Sequence, residues 1–86
     1  MPVLSKFYGI VVGMLYKPSH SAHVHAFYDG QEIIVGLHPV RLIRGEAPAR
    51  ARAMVLEWAS RHRKELLIDW QRCADAQIPH SIAPLA

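Results

Sequence analysis

A single cysteine, Cys73, stands in this chain of 86 residues. No intramolecular disulfide can form, and a lone thiol suits a reducing compartment. Its helical, apolar neighbourhood marks it as a small buried hydrophobe rather than a nucleophile. Long hydrophobic runs are also missing. The most apolar stretch, Phe7 to Tyr16, has ten residues, too few to span a bilayer. One lysine precedes it and no small-residue cleavage site follows, so it does not read as a leader. The expectation is a buried strand in a cytoplasmic protein without membrane contact. Acidic side chains are fewer than basic ones, seven against ten, giving a net charge of +3 and a pI near 9.4. That excess fits a solvated cationic face, or contact with nucleic acid or an acidic partner. No lysine-rich tail and no interleaving of basic and aromatic residues sharpens the choice.

What is present is enough for one core. The apolar fraction is 51%, too high for a disordered chain. A chain of this size buries roughly 60–65% of its unfolded surface, so it folds alone only marginally or with a partner. One domain, residues 1–86, is expected, and neither a repeat nor a linker interrupts it.

The segment "KFYGIVVGMLYK" is rich in β-branched and aromatic residues and predicts a first strand over about residues 7–16. Gly9 and Gly13 within it mark a bulge or the close approach of a neighbour. "PSHSA" is a loop, by its proline and serines. Next, in "HVHAFYDGQEIIVGL", Asp29-Gly30 is a two-residue hairpin signal, because a type I′ turn needs positive φ at both positions. That turn pairs Tyr28 with Gln31, Phe27 with Glu32, Ala26 with Ile33, His25 with Ile34 and Val24 with Val35. By alternation, Val24, Ala26, Tyr28, Ile33 and Val35 form a core face. His23, His25, Phe27, Glu32 and Ile34 form the other, with Glu32 diagonally within reach of His25.

"LHPVRLIRG" predicts a short further strand over about 40–44, after Pro39. The remainder, to Gln77, is helical. Pro48 suits the first turn and Glu46 the helix N-terminus. Ala51, Met54, Val55, Trp58 and Ala59 recur at helical spacing, and Leu66, Leu67, Trp70, Cys73 and Ala74 resume it. Both tryptophans read as core. Arg50, Glu57, Arg61, Lys64 and Asp69 fall on the opposite, solvated face, and Ser60 is where the helix would divide. The tail "QIPHSIAPLA" has no periodicity; its Ile78, Ile82 and Leu85 suit docking on the core or on a partner. Strands followed by helices indicate α+β: an antiparallel sheet of three to four strands, then one long or two consecutive α-helices packed on one face.

Three histidines, His20, His23 and His25, fall within six residues. They admit three readings: polar residues on the wet face, metal ligands as neutral imidazoles, or members of an acid–base pair with Glu32. Catalytic roles fall to His23, His25 and Glu32. Lys17, His20, Arg41 and Arg44 are the candidates for binding phosphate. No metal and no cofactor is expected, because nothing fixes a third ligand and no cysteine lies nearby.

Taken in order, several segments resemble one family of small bacterial proteins. "SKFYGIVV", Ser5 to Val12, is similar to that family's Ser-(Arg/Lys)-Phe-Tyr-Gly-Ile strand. "AHVHAFY", Ala22 to Tyr28, is similar to its Pro-His-Phe-His-Ala-x-Tyr strand, and Glu32 follows as the family's glutamate does. "GEAP", "LEWASRHRKELLIDW" and "IAPL" match its helix start, its Leu-Glu-Trp-Ala helix and its Ile-x-Pro-Leu ending. Some members carry the name DhiT-like and are assigned as toxins of type II toxin–antitoxin modules. One departure is the loop: "PSHSA" is one residue shorter than the family's Asp-His-x-Pro-Pro and lacks its aspartate and paired prolines, and His20 takes the place of the loop histidine. The resemblance implies a toxin acting on RNA or translation, with a small cognate antitoxin-like protein encoded nearby; it supplies no reaction. The alternative is a non-enzymatic regulatory module that contacts nucleic acid or a partner protein. A second copy of the chain is a further candidate partner.

Overall fold

A computed structural model describes all 86 residues. Five strands precede two helices: β1 (Val3–Phe7), β2 (Ile10–Gly13), β3 (His23–Tyr28), β4 (Gln31–Leu37), β5 (Val40–Gly45), α1 (Ala49–Arg61) and α2 (Arg63–Ala74). The strands form one antiparallel meander in the order β1-β2-β3-β4-β5. The α+β architecture expected from the sequence is present, with five strands instead of three to four. No helix is long and apolar enough to cross a membrane.

The extra strand is β1, which lies before the strand predicted at 7–16 and shares only Phe7 with it; the predicted strand itself begins with a turn and shortens to Ile10–Gly13. Tyr8 and Gly9 form that two-residue turn with φ of 50° and 79°, and Phe7 pairs with Ile10. Positive φ at both positions is what a type I′ turn requires, and glycine supplies it freely at the second. Tyrosine is uncommon at the first, so the segment carries no Asn-Gly or Asp-Gly signal. By contrast, the Asp29-Gly30 turn (φ 48° and 77°) stands where expected, and β3 and β4 pair in the expected register. A side chain added at Gly30 would meet nothing within 4 Å. Gly30→Val therefore tests backbone strain alone. It should cost about 1–3 kcal/mol, read as a lowered midpoint in chemical denaturation, and an unchanged midpoint would reject the type I′ register.

The core lies between the inner sheet face and the helices. Val12, Val24, Ile33 and Val35 meet Val55, Trp58, Ala59 and Leu66 there, all buried. Trp58 is fully buried, tilts against Phe7 with ring centroids 5.5 Å apart, and its Nε1–H donates to the carbonyl of Ala83. The helices divide at His62, two residues beyond Ser60; there His62 Nδ1 and Glu65 Oε1 lie 2.7 Å apart at the start of α2.

The C-terminal segment is a strap. Ile82 N–H donates to the carbonyl of Leu4 on the β1 edge, and the edge is covered in the way open sheets require. Ile82 and Leu85 are buried, whereas Ile78 is 81% exposed. The strap also corrects the placing of Asp69 on a solvated face. Its side chain is 1% exposed, because His80 folds over it and donates its backbone N–H to Oδ1 at 2.8 Å. Burial raises the Asp69 carboxyl above its ordinary value, against the opposing pull of that hydrogen bond. Burial likewise raises the thiol of Cys73, whose Sγ lies 4.0 Å from Met14 Sδ, in keeping with an inert packing cysteine.

Candidate functional site

The histidine strand forms the middle of the outer sheet face. Register places three rows there. Lys6, Val11, Phe27 and Glu32 are consecutive across β1 to β4; Gly13, His25, Ile34 and Arg44 across β2 to β5; His23, Gly36 and Arg41 across β3 to β5. Gly13 matters beside His25, because Pro2 crosses over it: a Cβ at Gly13 would lie 2.9 Å from the Pro2 carbonyl oxygen.

Alternation puts His23 and His25 on one face, as expected, but neither is a solvated residue. His23 is 5% exposed. At the end of the sheet Trp70 of α2 wraps round to meet it, ring centroids 5.0 Å apart, and Tyr16 packs on the same indole. So Trp70, read as core, packs half-buried against the core and also forms a wall of the histidine cluster. The His25 side chain is 13% exposed. Its ring lies edge-on to His23 at 5.1 Å and parallel to Phe27 at 6.5 Å.

Hydrogen bonds fix both tautomers. His25 Nδ1 is 2.7 Å from Glu32 Oε2, and a carboxylate only accepts, so Nδ1 carries the proton. His23 Nδ1 likewise donates to the carbonyl of Ser21 at 2.8 Å. Each neutral ring is left with its Nε2 lone pair free, and His25 Nε2 is buried without any partner. Unpaired buried polar atoms are rare and often mark function. A carboxylate behind an imidazole is also how proteins orient a general base or a metal ligand.

The rings border a groove of about 400 Å³. Lys17, His20, Arg41 and Arg44 line it together with His23 and His25. Thus six of the seven candidate side chains meet in one concavity, and the seventh, Glu32, reaches it through His25. Lys17, His20, Arg41 and Arg44 are all exposed. His20 Nδ1 lies 3.2 Å from Ser19 Oγ and its ring 6.0 Å from that of His23. No three His, Cys, Asp or Glu side chains are grouped so as to hold a metal ion.

The family described as Domain of unknown function (DUF4160) matches residues 9–71, which contain the whole groove and both helices as far as Gln71. The chain belongs to the DUF4160 family. No curated protein and no solved structure matches it.

In this DUF4160 chain, the residues whose part in the site sequence reasoning missed are Trp70 and Ser21, whereas the close approach expected at Gly13 is that of Pro2. A tryptophan at helical spacing signals core, and nothing local says that its ring turns past the sheet end. Ser21 acts through its backbone carbonyl, which sequence does not distinguish. The consequence for His23 is measurable. Burial lowers its pKa below 6.5, helped by the nearby charges of His25, His20 and Lys17 and opposed by the Ser21 carbonyl. Below 6.5 the unfolded chain then binds more protons at this site than the folded one. Stability at this site is complete above pH 6.5 and is lost as pH falls through the lowered value. Melts at pH 7.5 and pH 5 should show a smaller acid loss for His23→Gln than for wild type; an equal loss would remove His23 as a source.

Proposed function

We propose that this chain is the toxin of a type II toxin–antitoxin pair, acting on RNA. The observation that supports it best is His25, held by Glu32, lining a groove that it shares with Lys17, His20, Arg41 and Arg44. The resemblance to DhiT-like proteins supports the biological role. In the reaction, His25 Nε2 accepts the proton of a ribose 2′-hydroxyl, and that oxygen attacks the adjacent phosphorus. The bond from phosphorus to the 5′-oxygen breaks, and protonated His20, at the groove mouth, gives the leaving oxygen its proton. A 2′,3′-cyclic phosphate and a 5′-hydroxyl result. Glu32 holds His25 in the acceptor tautomer, and Lys17, Arg41 and Arg44 offset phosphate charge.

His25 Nε2 is out of solvent in the free protein, so the ribose must part the groove lining to meet it. That same burial favours the second reading, a non-enzymatic module whose groove binds nucleic acid or a partner protein and whose His25–Glu32 pair only stiffens the sheet. Induced expression separates them. The toxin reading expects growth arrest when the chain is made alone, and relief when the small neighbouring gene is expressed with it. Normal growth together with uncut cellular RNA would overturn it.

A further inference from the structure

The three outer rows leave one aromatic ring without a role. Phe27 is half-buried, lies parallel to His25 within 12°, and sits between Val11 and Glu32 in its row. Neither helix covers this row, since both pack on the opposite face, where Val12, Ala26 and Ile33 are buried. The charge around it is one-sided. Lys6 ends the row on β1, while Lys17, Arg41 and Arg44 border the adjoining groove. Glu32 is the one carboxylate in the three rows, and its Oε2 is engaged by His25.

We infer that the open sheet face takes single-stranded RNA, with one base stacked on Phe27, the backbone running toward Lys17, Arg41 and Arg44, and Lys6 holding a phosphate at the other end. An open antiparallel sheet that combines a partly exposed aromatic ring with flanking cations is suited to this ligand. The ring offers a π-face to any base, and the cations follow the backbone. A duplex does not fit, because its base faces are hidden within the stack. Parallel neighbours on one strand bring the stacked nucleotide beside the next one's ribose at His25, so Phe27 is a positioning residue. This inference rests on the RNA reading of the groove and names the form of RNA that enters it.

The test uses a fluorescein-labelled 2′-O-methyl RNA decamer, which has no free 2′-hydroxyl and stays intact. Fluorescence anisotropy at low salt should show binding that weakens steeply as salt rises. Phe27→Leu, which keeps an apolar side chain but removes the ring, should weaken it by about tenfold while circular dichroism remains that of wild type. Phe27→Trp should restore it, with quenching of tryptophan emission beyond that of the wild-type protein. Lys6→Ala should flatten the salt dependence by about one unit of slope. Equal binding by Phe27→Leu, or duplex RNA bound as tightly as the single strand, would overturn the platform. An acidic protein bound at the face in place of RNA would do the same. The two readings fail separately: His25-dependent growth arrest with Phe27-independent binding removes only the platform, and Phe27-dependent binding without arrest removes only the toxin.

Discussion

The Trp58→Ala variant is expected to lose about 3–5 kcal/mol of folding stability. A domain of this size has only about 4–13 kcal/mol to lose. Trp58 has no exposed surface. It fills the space between Phe7 on β1 and His62 at the helix junction, and its Nε1–H holds the strap at Ala83. Truncation opens a cavity and leaves the Ala83 carbonyl short of its donor, so the strap loosens from β1 at the same time. Denaturant melts followed by circular dichroism should show a much lower midpoint, or no folded baseline. A midpoint close to that of wild type would mean that the strap and sheet are held by something other than this ring.

His25→Ala is expected to have the opposite profile: stability within about 1 kcal/mol of wild type and complete loss of growth arrest on induction. Two opposing effects keep the stability change small. The variant gives up the packing of the imidazole against Phe27 and His23, but it also removes the buried Nε2 that has no partner, a group that costs free energy to keep dry. Glu32, 45% exposed, is left in water and solvates itself. Activity should vanish, because the proposed mechanism assigns the 2′-hydroxyl proton to His25, the imidazole that a carboxylate orients; the other oriented ring, His23, is held only by the Ser21 carbonyl. Glu32→Gln should weaken arrest less, since it alters the orientation of the base without removing it. Colony counts after induction, paired with melts of the purified variants, separate the cases. Arrest undiminished in His25→Ala would remove the catalytic reading, and an unfolded His25→Ala would make the ring a core residue.

Local chemistry alone specifies the β3–β4 hairpin and what each of its faces carries. Asp29-Gly30 permits one tight turn, that turn allows one register, and alternation then assigns every side chain to a face. The same local rules located β5, the start of α1 after Pro48, and the helical spacing that buries Val55, Trp58 and Leu66. They joined His25 to Glu32 as well, because that contact lies within one hairpin. Local rules failed where a residue adopts a backbone that its type disfavours: Tyr8 at positive φ turns the chain at the start of the expected strand and pairs what remains of it with Val3–Phe7. They failed again where burial depends on a distant segment. Asp69 is buried by a strap that arrives eleven residues later, and His23 is buried by Trp70 from the second helix. The groove itself is tertiary. Lys17 and His20 come from the loop before β3, Arg41 and Arg44 from the last strand. Only the meander order, with β3 and β4 between them, sets these cations around one pair of imidazoles, since charge and side-chain type record no distance between residues far apart in the chain.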